Sequence, residues 1–223
     1  MPNTFLPNRP AGAPAPKPAA LPLPLLCVLL LSFVALAPSP GRAYDPNLLG
    51  LFYDAEATVD QIETGPNAQH ALYLVLLNPV NDGYGGSGTR DVGYVSGFEC
   101  GIEPPTGDFL LGVDFPVAAV NVGSADNLVV GFAAAVPVGT GRTATLATLR
   151  VLTLGNNRDG YLLSPASTPS IAGAMAYVDA EDTDDNLVAM MPVSGAFDRA
   201  VFWFGNWNIR QTAPWGAVKS LFR

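Results

Sequence analysis

Histidine is almost missing from this chain: His70 is the only one in 223 residues. A histidine-rich zinc or iron site is therefore excluded, with Cys100 the one thiolate of the mature chain that could accompany His70. A serine triad would have to use His70 as its base, and no G-x-S-x-G elbow occurs. His70 follows Asn67-Ala68-Gln69 at the entry to an apolar run, where it reads as a structural residue near the surface. Cysteine is nearly as scarce, with Cys27 in the leading segment and Cys100 in the body. A lone thiol cannot close an internal disulfide, which leaves a buried small apolar residue or an intermolecular link. In Phe98-Glu99-Cys100-Gly101-Ile102-Glu103 the apolar residues alternate with the glutamates. That pattern puts the thiol on the apolar face of a strand, buried and inert.

A long hydrophobic run is also lacking. Leu25–Ala37 is apolar for 13 residues, whereas a membrane span needs about 20, and two prolines interrupt any extension back to Leu21. Arg9 and Lys17 precede this run, and Pro38-Ser39-Pro40 and Gly41-Arg42-Ala43 follow it as a helix break and a small-x-small site. Residues 1–43 thus read as a secretory signal peptide, with a membrane anchor as the rival reading. Cys27 does not suit a lipoprotein, because Leu26 stands where a small residue belongs and most of the apolar run follows the cysteine. No twin-arginine pair is present. The expected location is secreted, at the cell surface or in the periplasm, with no stable membrane span after cleavage.

Cleavage after Ala43 removes Arg9, Lys17 and Arg42 and leaves 8 basic residues against 19 acidic ones, a formal charge of −11. So acidic a surface repels phosphate backbones and anionic membranes, which argues against nucleic acid as a partner. The mature length suits one domain with a full core and no disulfide.

No long helical pattern is present either. Strands are expected at Leu49–Tyr53, Ala71–Leu77, Val92–Glu103, Phe109–Phe115, Asn127–Ala135, Ala144–Leu154, Tyr161–Leu163, Ala174–Ala180, Leu187–Met191 and Ala200–Phe204. Ala71–Leu77 is apolar on both faces and should be central, ending at Asn78-Pro79. Ala144–Leu154 has leucines at every third residue, which a short helix could use. Its threonines and Val151 favour a long strand with a bulge between Gly141 and Gly155. Asn81–Thr89 is a glycine-rich loop. The expectation is an all-β, two-sheet β-sandwich over residues 44–204, followed by a C-terminal tail, 205–223.

The order LYLVLLNP, VSGFECGIE, NLVVGFAAAVP, TATLATLRVL, AYVDAEDTDDNLV resembles the secreted bacterial β-sandwiches of the cohesin-like and carbohydrate-binding type. It covers about Leu49 to Val193, with alternating aliphatics in an early strand, a V-x-G turn in the next and an L-x-T-L run later. The resemblance implies an immunoglobulin-like or cohesin-like sandwich. It does not imply a scaffold role, because neither a tandem copy nor a catalytic module accompanies it.

Three polar or aromatic features are candidates for function. The acidic run Asp179-Ala180-Glu181-Asp182-Thr183-Asp184-Asp185-Asn186 has the oxygens that calcium needs. Counted from Asp182, however, Leu187 replaces the required glycine and Val193 the closing glutamate, so a solvated hairpin loop is the simpler account. The three tryptophans Trp203, Trp207 and Trp215 lie in the last 21 residues. They offer either a stacking platform for sugars or packing for a last strand at Phe202-Trp203-Phe204. Thr212–Arg223 has the pattern of a short helix, either a cap on the sandwich or a sorting element. No residue is assigned to catalysis, to a cofactor or to a metal. The function expected is a non-catalytic binding or structural module of the cell exterior with a protein or glycan ligand. The alternative is a carboxylate-type extracellular hydrolase such as a glycoside hydrolase.

Overall fold

The computed structural model describes residues 45–82, 89–155, 159–183 and 186–205. Residues 1–44, which include the expected signal peptide, the tail beyond Gly205 with Trp207 and Trp215, and most of the glycine-rich insert lie outside the described residues. The chain is all-β. Its strands in order are β1 (Leu48–Phe52), β2 (Gln61–Ile62), β3 (Ala68–Leu77), β4 (Val80–Asn81), β5 (Arg90–Asp91), β6 (Tyr94–Glu103) and β7 (Asp108–Asp114). They continue with β8 (Ala119–Asn121), β9 (Asn127–Pro137), β10 (Thr143–Thr153), β11 (Leu162–Ser164), β12 (Met175–Asp179), β13 (Leu187–Pro192) and β14 (Trp203–Phe204). No helix occurs among the described residues, and hence none long and apolar enough to cross a membrane.

Ten strands join in one curled mixed sheet, ordered β7-β10-β3-β1-β13-β12-β6-β9-β8, with β11 also on β6. The seam is β13. Leu187–Met190 pairs antiparallel with β12, while Met191 and Pro192 pair parallel with Leu48 and Leu49 of β1. The other ladders of this sheet are antiparallel. Leu72, Leu74 and Leu76 of β3 and Leu146, Leu149 and Val151 of β10 share one core with Phe98, Cys100 and Ile102 of β6 and Leu128 of β9. Side chains from strands so far apart along the sheet meet only because the sheet curls over its own apolar face.

The period-two pattern explains which residues are inside. β3 lies between β10 and β1, as its two apolar faces require. Its Val75 and Leu77 face away from the main core and join Leu48, Phe52 and Ala57 in a smaller cluster. Asp54 folds the intervening loop over that cluster, its Oδ1 accepting from the Val59 amide at 2.8 Å and its Oδ2 from the Thr58 hydroxyl at 2.6 Å. β10 is the long bulged strand, with the register shift between Thr145 and Ala147. Asn78 ends β3 with φ 46°, a left-handed conformation that asparagine tolerates. Four short strands, β2, β4, β5 and β8, have no counterpart in the sequence pattern, being only two or three residues long.

Candidate functional site

The site grows from the last strand. Phe202 and Phe204 are fully buried, packing edge-on against Tyr161 at ring distances of 6.1 and 6.0 Å. Alternation then turns Trp203 to the opposite side, where it is half-buried. Backbone bonds hold this segment on two neighbours. The Tyr161 amide donates to Phe202 O and the Val201 amide to Tyr161 O, both at 2.8 Å. On the other edge Trp203 and Phe204 pair parallel with Gln61 and Ile62, and the Trp203 amide donates to Asp60 O at 3.3 Å. Three segments remote in sequence, near residues 60, 160 and 200, thereby meet around Trp203.

Between them is a cleft of about 520 Å³. Leu162, Val193, Ala200 and Val201 supply its apolar surface, and Trp203 an aromatic wall. Asp60, Asp159, Asp198, Arg199 and Ser194 supply its polar groups. Asp159, Asp198 and Arg199 are exposed and Asp60 is partly buried. Three carboxylates against one guanidinium make the lining net negative. The Ser194 hydroxyl accounts for the local shape: its Oγ lies within hydrogen-bond distance of Ala196 O at 3.0 Å and Arg199 O at 2.9 Å, which folds residues 194–199 into a tight rim. Gly160 seats the wall. A Cβ there would lie 2.6 Å from both Ala200 Cβ and the Trp203 Cδ1–Nε1 edge, and its φ of +69° disfavours any side chain.

Behind the cleft is a polar layer that supports β14. His70 stacks on Phe204 with ring centroids 4.7 Å apart, meets Tyr53 edge-on at 5.9 Å, and has Nε2 2.6 Å from Thr64 Oγ1. Burial holds the imidazole below its ordinary pKa, opposed by the charge of Asp108. Tyr161 donates its hydroxyl to Asp108 Oδ2 at 2.8 Å, and burial with this carboxylate beside it pushes the phenol far upward. His70 is therefore a packed structural side chain in β3, as its position in the sequence suggests.

The acidic run lies elsewhere and behaves differently from a solvated loop. It joins β12 to β13 in the expected hairpin, but Asp179 is completely buried and Asp182 nearly so. Asp179 Oδ2 accepts from the Arg90 guanidinium and from Asn81 Nδ2, the latter at 3.1 Å, and its Oδ1 accepts from the Glu181 amide at 3.0 Å. Asp182 Oδ2 also accepts from Asn81, at 3.3 Å. Glu181 accepts from Arg90 Nη1 at 3.1 Å and from the Gly93 amide at 2.7 Å. The Arg90 guanidinium thus pairs with two of the run's carboxylates, Asp179 and Glu181. No group of three or more metal-ligating side chains gathers among the described residues, Asp184 and Asp185 being outside them.

Cys100 is buried with its thiol pushed far upward, first by burial and then by the charge of Glu99. Glu99 is on the opposite face but is not in solvent: Ser170 donates to it from its amide at 2.6 Å and its hydroxyl at 2.9 Å.

Of the sequence candidates among the described residues, only Trp203 is in the cleft. Asp60, Asp159 and Asp198 escaped sequence reasoning because they are separated by long stretches of chain and no local motif connects them. No family model, curated protein or solved structure matches this chain.

Proposed function

We propose that this chain is an exported, non-catalytic binding module of the cell exterior whose ligand, a protein or a glycan, seats in the cleft walled by Trp203. The curled sheet is read as the two-sheet, cohesin-like or carbohydrate-binding-type sandwich that the strand order suggests, with residues 1–43 as its signal peptide. One observation carries the reading: a half-buried tryptophan, held by its strand and by Gly160, lines a ligand-sized concavity with polar groups at the rim. Tryptophan is costly to leave partly wet and is enriched where a partner covers it.

Three aspartates in one cleft favour a second reading, the carboxylate hydrolase. Such an enzyme needs a proton donor kept neutral by a desolvated pocket. Asp159 and Asp198 are exposed and Asp60 is only partly buried, which supports binding over catalysis.

Export is tested by N-terminal sequencing of material recovered outside the cytoplasm, expected to begin at Tyr44. A chain retaining residues 1–43 in a membrane fraction refutes it. Binding is tested on a glycan array and by reducing-end release from any saccharide that is retained. Retention without release is expected; release establishes the hydrolase instead.

A further inference from the structure

We infer that the Trp203 cleft takes a neutral saccharide chain and excludes acidic ones. This rests on the cleft being the ligand site and goes further in naming the ligand's chemistry. A pyranose ring presents an apolar C–H face and an equatorial belt of hydroxyls. The lining matches both parts, with the Trp203 wall and the aliphatic surface of Leu162 and Val193 for the ring, and groups able to bond hydroxyls around them. Carboxylates are acceptors only, so Asp60 and Asp198 call for a ligand rich in donors, and O–H donors to a carboxylate form strong charge-assisted bonds. Arg199 complements them as a donor to ring or hydroxyl oxygens.

Charge then sets the specificity. A uronate or sulfated sugar would bring its anion to a lining of three carboxylates and a single arginine, on a chain with 19 acidic residues against 11 basic ones. Both the local and the overall field oppose it. The cleft volume of about 520 Å³ accommodates a few sugar units, with the remainder of a longer chain running out over the exposed Asp198–Arg199 rim.

The experiment is calorimetric titration of the full chain with hexasaccharides of β-1,4-linked glucose, mannose, xylose and N-acetylglucosamine, and with hexagalacturonate. At least one neutral hexasaccharide should bind and hexagalacturonate should not. Trp203→Ala should weaken binding at least tenfold while its melting curve stays cooperative. Asp198→Asn, on an exposed side chain that leaves the fold intact, should weaken neutral binding severalfold. The double change Asp159→Asn with Asp198→Asn should bring hexagalacturonate binding closer to neutral binding. The inference fails if none of the neutral chains binds, if hexagalacturonate binds as well as they do, or if both Trp203→Ala and Asp198→Asn bind as the unaltered chain does. A protein ligand whose binding is lost in Trp203→Ala, with all hexasaccharides silent, overturns the saccharide assignment and leaves the binding-module reading standing.

Discussion

Two acidic regions of this molecule each combine carboxylates with one arginine, and they do opposite things. Around Asp179 the charges close on themselves: Arg90 bridges Asp179 and Glu181, Asn81 donates to Asp179 and Asp182, and the Gly93 amide donates to Glu181, with Asp179 and Asp182 buried. Around Trp203 the acids line a concavity, Asp159 and Asp198 exposed and Asp60 partly buried. The first region is conspicuous in sequence, with Asp and Glu crowded into residues 179–185; the second is invisible there. Local density of acids is thus a poor guide to a ligand site. A run of carboxylates next to a strand can serve to anchor that strand, here by tying the β12–β13 hairpin to β4 and β5.

The contrast predicts that the two regions respond differently to mutation. Asp179→Ala removes the acceptor that Arg90 and Asn81 share, although Arg90 keeps Glu181 and its contact with solvent and Asn81 keeps Asp182. Losing these bonds to a buried carboxylate costs about 2–3 kcal/mol, which in a domain of this size lowers the melting temperature by about 5–10 °C. Thermal unfolding checks this, and a drop of only a degree or two would show that water replaces the carboxylate without penalty. Ligand binding at the cleft should persist in this variant below its melting point.

Gly160→Ala attacks the other region at its support. The new methyl meets Ala200 and Trp203 at 2.6 Å on a left-handed backbone, so a loss of about 1–2 kcal/mol is expected from the conformation alone. The displaced indole should also change its fluorescence maximum, which Asp179→Ala should leave unaltered. An unchanged spectrum and unchanged stability would mean that Trp203 is not seated on Gly160.

The smallest effect is a pH dependence confined to the cleft's backing layer. Burial lowers the His70 pKa below its ordinary 6.5, with Asp108 opposing, while the Thr64 hydroxyl and the Tyr53 and Phe204 rings face the imidazole. The unfolded chain therefore binds this proton more readily than the folded one. The neutral imidazole contributes in full above about pH 6.5 and loses that contribution as pH falls through 6.5 toward the lower folded value. Urea midpoints should decline modestly from pH 7.5 to 5.5, and His70→Gln should remove that part of the slope. An equal slope in the variant would assign the effect to the carboxylates instead.

Much of the fold was legible because strand periodicity is local. Phe98, Cys100 and Ile102 alternate with glutamates, and they do line the core; Ala71–Leu77 is apolar on both faces, and β3 is indeed interior with a cluster on each side. The long strand at Thr143–Thr153 and its bulge were likewise foreshadowed by threonines and flanking glycines. What the pattern could not reveal were β2, β4, β5 and β8, whose two or three residues are too few to establish any period. The site depended on those missing pieces, since β2 is the partner that holds Trp203.

By itself, then, the sequence determined the class of the molecule: β-rich and acidic, with Cys100 on an apolar strand face and no histidine cluster. Those properties follow from composition and from alternation between neighbours. Tertiary structure alone decided that Asp179, at the head of the acidic run, pairs with Arg90 across about 90 residues of chain, and that Asp60, Asp159 and Asp198 converge on one tryptophan. Both outcomes depend on strand pairing between distant segments and on the curl at β13, where one strand changes partners from β12 to β1. Such pairing is set by the burial of whole faces rather than by any local motif.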